Sequence, residues 1–434
     1  MSDYLPQEVL IKILTRLPPK CLIKFRCVSK SWNSLISSSY FISMHTHQAI
    51  LSKALTSTTD QIIIRRYSKA HNSEVYSVHI DNEDFTQDRN IIIEYPFRDV
   101  TRFYYRIVGS CNGVFCLSDD LFGPTNSILL WNPIIKRKLT LPMPQATSVD
   151  MDYFMFVLGF GFDVQNNEHK VVRIAYVQED YGYAVPPIVE IYALSIGHWN
   201  KINAEVPHNC VVEYFWSQVF INGNVHWVAY RNKGKNEKVD NLIMVFNMSL
   251  EVFNEMRLPD ALVNVLPINL NVIVIQESIA IVAYDERVWS NSCCIWVMKS
   301  YGNMESWNKQ YFVDLNEGLG MILGCRTNGN VLLTVASGGL VSYNPMTGES
   351  VDLAIFGTKD SFYVGTYFES LVLLIEGIEA RERVPSESDS ESESECESSI
   401  EDDEDRFGDV EKSEFRMQTC VSQYLTALLN RSFL

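Results

Sequence analysis

Apolar positions in the first 45 residues fall at spacings of three and four. Val9, Leu10, Ile13, Leu14 and Leu17 form one helical face, with Pro6 at its start and Pro18-Pro19 at its stop. Leu22, Phe25, Val28, Trp32, Leu35 and Ile36 form a second face, opposed by Lys20, Lys24, Arg26, Lys30 and Asn33. A hairpin of this size makes a poor core by itself. Its apolar faces therefore imply docking, either as a cap on a larger domain or in the groove of a partner.

From about residue 48 the period changes. Short runs rich in Val, Ile, Tyr and Phe alternate with Gly, Asn and Pro, the pattern of strands and tight turns. One unit recurs: an apolar strand ending in an aromatic, a polar turn, then a second strand. It appears at Ser127 (SILLWNPIIKRKLTLP), Leu242 (LIMVFNMSLEVFNEMRLP) and Gly339 (GLVSYNPMTGESVDL), with divergent copies at Val189 and Cys294. Asn132, Asn247 and Asn344 suit the turn because an Asn side chain bonds its own backbone. The aligned aromatics Trp131, Tyr192, Phe246, Trp296 and Tyr343 recur about every 50 residues, a spacing in the range of a kelch-like blade. A further strand signal precedes each hairpin, and Gly113, Gly223 and Gly329 sit where a tight turn needs positive φ. Five four-stranded blades result. A sixth is expected from the two ends together, with strands at 61–68, 74–80 and 361–375, which would close the ring without an exposed edge. An open β-sandwich is the competing architecture.

Charge changes the picture at one place only. The formal net charge is -17, and residues 380–415 hold 15 acidic against 4 basic side chains, so -11 of it belongs to that segment. The rest is too mildly acidic for a generic nucleic-acid surface. The Ser/Glu-rich tail is expected to be disordered, with Ser386 and Ser388 each three residues before an acid, a pattern for an acidophilic kinase. Beyond it, Val421, Tyr424, Leu425 and Leu428 have helical spacing. The ten cysteines include no C-x-x-C pair and read as reduced thiols; no basic leader or 18-residue apolar run is present, so a soluble intracellular chain is expected, with no membrane partner.

Chemistry-bearing motifs are scarce. No phosphate loop, H-E-x-x-H or G-x-S-x-G occurs, Gly159-Phe160-Gly161 reads as blade geometry, and His45 and His47 lack a third ligand. No catalytic residue, metal or cofactor is expected. What the loops offer is aromatic: Tyr153, Phe154, Phe156, Tyr181, Tyr183, Trp216 and Trp289 are candidate anchors for a protein target.

Two motif sets resemble known families. Leu5-Pro6, Arg16-Leu17-Pro18-Pro19-Lys20 and Phe25-Arg26-Cys27-Val28-Ser29-Lys30-Ser31-Trp32 resemble the F-box of plant F-box proteins. Gly109-Ser110-Cys111-Asn112-Gly113, Leu130-Trp131-Asn132-Pro133, Gly159-Phe160-Gly161-Phe162-Asp163, Lys170-Val171-Val172, Val225-His226-Trp227 and Glu369-Ser370-Leu371 resemble the F-box-associated domain, as in S-locus F-box proteins. The resemblance implies three F-box helices that dock a Skp-type adaptor, and through it cullin and RING subunits, followed by a kelch-like β-propeller that receives a protein substrate. By that resemblance Leu5, Pro6, Val9, Ile13, Leu17, Pro18, Leu22, Val28 and Trp32 make or support the adaptor contact, while Leu14, Phe25 and Leu35 hold the helices together.

The expected organisation is a mainly β chain with a small α N-terminal domain: F-box 1–47, propeller of about six blades 48–378, acidic tail 379–414, and a short C-terminal segment 415–434. The expected function is substrate recognition for an SCF-type ubiquitin ligase, in cytoplasm or nucleus. Alternatives are an S-locus protein recognising a ribonuclease, a propeller enzyme, and a ligase-independent scaffold.

Overall fold

The structure is a computed structural model. It describes residues 6–55 and 61–374, apart from 71–72, 89–92, 94–104, 120–126, 145–153, 180–181, 184–185, 213–217, 232–238, 276, 286–290, 316–317 and 359–360. The tail and the C-terminal segment, with the expectations attached to them, lie outside the described residues.

Four helices open the chain: α1 (Gln7–Leu14), α2 (Pro19–Phe25), α3 (Lys30–Ile36) and α4 (Ser39–Leu55). The second periodic face, read from sequence as continuous, is divided between α2 and α3. Ser29 has extended backbone and its Oγ accepts the Trp32 N–H (3.2 Å), so it starts a new helix where the old one would have run on. Arg26 Nε donates to Asn33 Oδ1 (2.8 Å) and holds the corner. α4 runs eight residues past the expected boundary at 47.

Six antiparallel sheets follow. The first five span 106–140, 154–202, 210–257, 270–314 and 319–356, each crossed in chain order. The last strand of a sheet is its most exposed, as in Val252–Arg257 and Ser350–Phe356, and marks the outer rim. The sixth sheet joins the two ends of the ring, with Gln61–Ser68 between Ser73–Ile80 and Tyr363–Thr366. This is the closure expected from the sequence, although the C-terminal strand stops at Thr366. Residues 371–374, read as strand, form instead a tight turn with the Leu374 N–H on the Leu371 carbonyl (3.1 Å).

The turn chemistry follows the residues. Oδ1 of Asn132 accepts from Ile134 N–H (3.1 Å), that of Asn247 from Ser249 and Leu250 (3.0 and 2.7 Å), and that of Asn344 from Met346 and Thr347 (2.9 and 3.3 Å). Asn112-Gly113 and Asn222-Gly223 carry positive φ at both positions, the type I′ geometry of a tight hairpin.

Gly159 and Gly161 are needed for inter-blade packing. A Cβ on Gly159 would lie 2.4 Å from the Trp227 ring, and one on Gly161 2.4 Å from the Phe220 ring. Gly159→Ala is therefore expected to lower stability by about 1–3 kcal/mol through overpacking, read as a fall in urea midpoint at constant m.

Buried ion pairs occupy the sheets and their seams. Arg65 pairs with Glu74 and donates to the carbonyls of Ser361 and Tyr105 (both 2.9 Å), binding the closing sheet to both ends of the ring. Arg326 pairs with Asp81 (2.8 Å) and lies over the Phe85 ring. Arg173 pairs with Glu190 within the second sheet. Each charge is compensated, which its removal from water requires.

Candidate functional site

The helical end presents two kinds of apolar residue. Leu14, Leu22, Ile36, Phe41 and Ile42 are sealed, none more than 5% exposed. They belong to one core with Val108, Val114, Leu130, Phe160 and Leu371–Leu374. Val9, Ile13 and Val28 are 40%, 48% and 62% exposed. Pro6 and Pro18 are also exposed. Val28 is at the surface because it sits in the corner between α2 and α3, one residue before the cap at Ser29. Leu17 and Trp32 are half-buried, and Trp32 packs edge-on against Phe25 (5.7 Å).

Leu22 is the correction among the candidate docking residues. It is fully buried and offers a partner no surface, so its part is to hold the helices together, as Leu14, Phe25 and Leu35 do. Leu5 lies outside the described residues. His45, weighed as half of a metal pair, is buried, and its Nε2–H donates to the Leu17 carbonyl (2.9 Å), while His47 is exposed. Burial pushes the His45 pKa down, opposed by this bond and by the charge of Glu369. Among the described residues no three His, Cys, Asp or Glu converge as metal ligands.

Strand order assigns the ring two ends. Connections from first to second and third to fourth strand leave one end, and the others leave the opposite end. Neighbouring blades are bonded at the short-turn end: His169 to the Cys111 carbonyl (3.2 Å), Lys170 to Glu251 (2.8 Å), and Asn224 to Tyr301 (3.1 Å). The helices attach here too. Asn132 closes a third strand at this end, and its Nδ2 donates to the carbonyls of Ser370 (3.1 Å) and Val372 (2.8 Å), which lead into the helical core.

The longer connections 119–127, 141–153, 203–209 and 285–291 leave the far end. The aromatic candidates Tyr153 and Trp289 fall in them, Trp216 between the strands Cys210–Val211 and Val219–Ile221, and Tyr181 after Glu168–Glu179; all four lie outside the described residues. Phe154 and Tyr183 belong to the strands Phe154–Asp163 and Gly182–Tyr183 at the same end. Phe156 is withdrawn as a target anchor. It is buried, with the Arg173 guanidinium over its ring at 4.9 Å.

Sequence reasoning assigned Asn132 to its turn and missed its second task. The signal was present as two motifs, Trp131-Asn132-Pro133 and Glu369-Ser370-Leu371, 238 residues apart and joined only in the fold.

Comparison with known proteins decides the family. Residues 66–364 match the F-box associated beta propeller domain and residues 3–44 the F-box domain. The chain belongs to the F-box-associated propeller family. An F-box/kelch-repeat protein of Arabidopsis thaliana is 28% identical over 82% of this chain and 93% of its own length. The F-box protein CPR1 of the same plant is 26% identical over 71% of this chain and 73% of its own. These relatives do not single out the S-locus group. Aleuria aurantia lectin has a TM-score of 0.35 at 9% identity, covering 72% of this chain and 92% of that one, too remote to carry an argument.

Proposed function

We propose that this F-box protein is a non-catalytic substrate receptor of an SCF-type ubiquitin ligase. The observation that carries the reading is the divided apolar surface of the F-box. Leu14, Leu22, Ile36 and Phe41 are satisfied inside the chain, while Val9, Ile13 and Val28 remain outside it, flanked by Pro6 and Pro18. An aliphatic face of this kind on short, well-held helices suits a groove on a Skp-type adaptor. The target would meet the far end of the ring, where the aromatic-rich connections start, and ligation would be promoted by proximity to a charged conjugating enzyme. No residue of the chain needs to make or break a bond.

The test is reconstitution. The purified full chain is expected to form a one-to-one complex with a Skp-type adaptor on gel filtration, and to carry cullin and RING subunits with it. Absence of the adaptor complex would refute the docking role. Adaptor binding without cullin would replace the ligase receptor by a ligase-independent scaffold. Proteins crosslinked to probes placed at Tyr153 or Trp289 and identified by mass spectrometry would define the target.

A further inference from the structure

We propose that residues 367–374 form a strap that belongs to the docking module itself, fixing the four helices on the ring and keeping them in their docking arrangement. The functional half of this inference rests on the adaptor reading above; the structural half does not.

The chain enters the ring at Gln61 and leaves it at Thr366, and the two points are neighbours. Ile62 pairs with Thr366, and the Tyr367 N–H bonds the Gln61 carbonyl (2.7 Å). The helices precede the entry and the strap follows the exit, so the module has two covalent roots side by side. From its root the strap crosses the turn at Gly113. A Cβ there would lie 2.6 Å from the Phe368 carbonyl and 2.9 Å from Ser370 Oγ, so glycine provides room as well as the turn. Asn132 then clamps it, with Nδ2 donating to the carbonyls of Ser370 and Val372 and lying 3.3 Å from Ser370 Oγ. Asn132 and Ser370 are both fully buried.

The strap ends in Leu371-Val372-Leu373-Leu374, a turn in which all four side chains are buried in the core that holds Leu14, Leu22, Ile36, Phe41 and Ile42. Leu373 has φ +75°, the left-handed region of the third turn position, where glycine is the unstrained residue. A leucine persists in such a conformation only where its surroundings over-determine it. Here its side chain is sealed in that core. Glu369, at the start of this stretch, acts electrostatically on the His45 ring, which itself bonds the Leu17 carbonyl between α1 and α2. The strap thus supplies core, clamp and charge to helices that lack a sufficient interior of their own.

The experiment is hydrogen exchange by mass spectrometry on the full chain, with adaptor affinity measured in parallel. Leu373→Ala removes the buried side chain. Leu373→Gly removes it while relaxing the backbone, and Ser370→Ala, a milder change, removes the hydroxyl at the clamp. Both Leu373 variants are expected to raise exchange across residues 7–55 at least tenfold, leave 219–356 unchanged, and weaken adaptor binding about tenfold; Ser370→Ala moves the same amides by less. Unchanged exchange at 7–55 in Leu373→Ala, or an equal rise over 219–356, would overturn the strap. Recovery of wild-type exchange by Leu373→Gly would overturn the role of the side chain. If the wild-type chain binds no adaptor, the receptor reading fails, and exchange at 7–55 still decides the strap.

Discussion

Changing Ile13 and Val28 together to Glu is expected to abolish measurable adaptor binding while leaving the melting temperature within a degree or two of the unchanged protein. Both side chains are about half-exposed or more, so their replacement opens no cavity and strands no buried group. On the adaptor each is expected to enter an apolar groove, where a desolvated aliphatic anchor contributes roughly 1.5–3 kcal/mol, and a carboxylate in its place adds a desolvation cost. Two such changes amount to at least a hundredfold in affinity, since 1.4 kcal/mol is tenfold. Leu22→Ala is the control that reverses the two readouts. Its side chain is fully buried, so truncation is expected to cost about 2–5 kcal/mol of stability, with a loss of affinity no larger than the roughly tenfold expected of Leu373→Ala in the same core. Calorimetric titration and thermal melts of the two proteins separate surface from core. Unchanged affinity in the Ile13/Val28 double variant would move the docking face elsewhere.

Much of this arrangement is legible in the sequence because local rules and the fold agree. The hairpin units at Ser127, Leu242 and Gly339 could be read because each closes on an Asn that bonds the next backbone amides, a signal contained within a few residues. The closing blade could be read because Gln61–Ser68 is apolar in the manner of an inner strand, and with Ser73–Ile80 on one edge its other edge is left for the chain's far end. Where the reading failed, the deciding contact was remote. Nothing local tells Leu22 from Val28, since both lie on the apolar side of the same periodic run. Only Ser29, by capping a new helix, leaves one inside and the other out. Phe156 resembles its neighbours Tyr153 and Phe154 in sequence, and the contact that puts it inside is with Arg173 on the adjoining strand. Leu371–Leu374 has the composition of a strand but pairs with no strand among the described residues. It turns back into the helical core instead, a choice that depends on Asn132 more than two hundred residues earlier.

Acid is expected to unfold the ring, and two histidines set where. His169 is buried between the first two blades, its Nε2–H on the Cys111 carbonyl and its ring against Phe160 and Phe162. His226 is buried in the third blade with its Nε2 2.9 Å from the Tyr301 hydroxyl of the fourth. Burial drives both down from 6.5 to about 4, only partly offset by backbone hydrogen bonds. In the unfolded chain each titrates near 6.5. Between these values the unfolded state binds a proton that the folded state refuses. The stabilising contribution is therefore fully present above pH 6.5 and is lost as the pH falls toward 4. Each histidine removes up to about 1.4 kcal/mol per pH unit across that window. For the pair this is on the order of 5 kcal/mol by pH 4.5, a large part of the stability of an ordinary domain. Asp163 does not compensate within this window. Although burial alone would raise its pKa, bonds from Lys170, Ser249 and Asn166 hold it far below the usual carboxylate range, so its own contribution disappears only in stronger acid. Urea unfolding at intervals from pH 7.5 to 4.5 is expected to show a steep decline in stability below 6.5. A protein with both His169 and His226 changed to Gln should start less stable and decline with a slope smaller by nearly two protons. An identical slope in that double variant would show that other groups govern the acid limit.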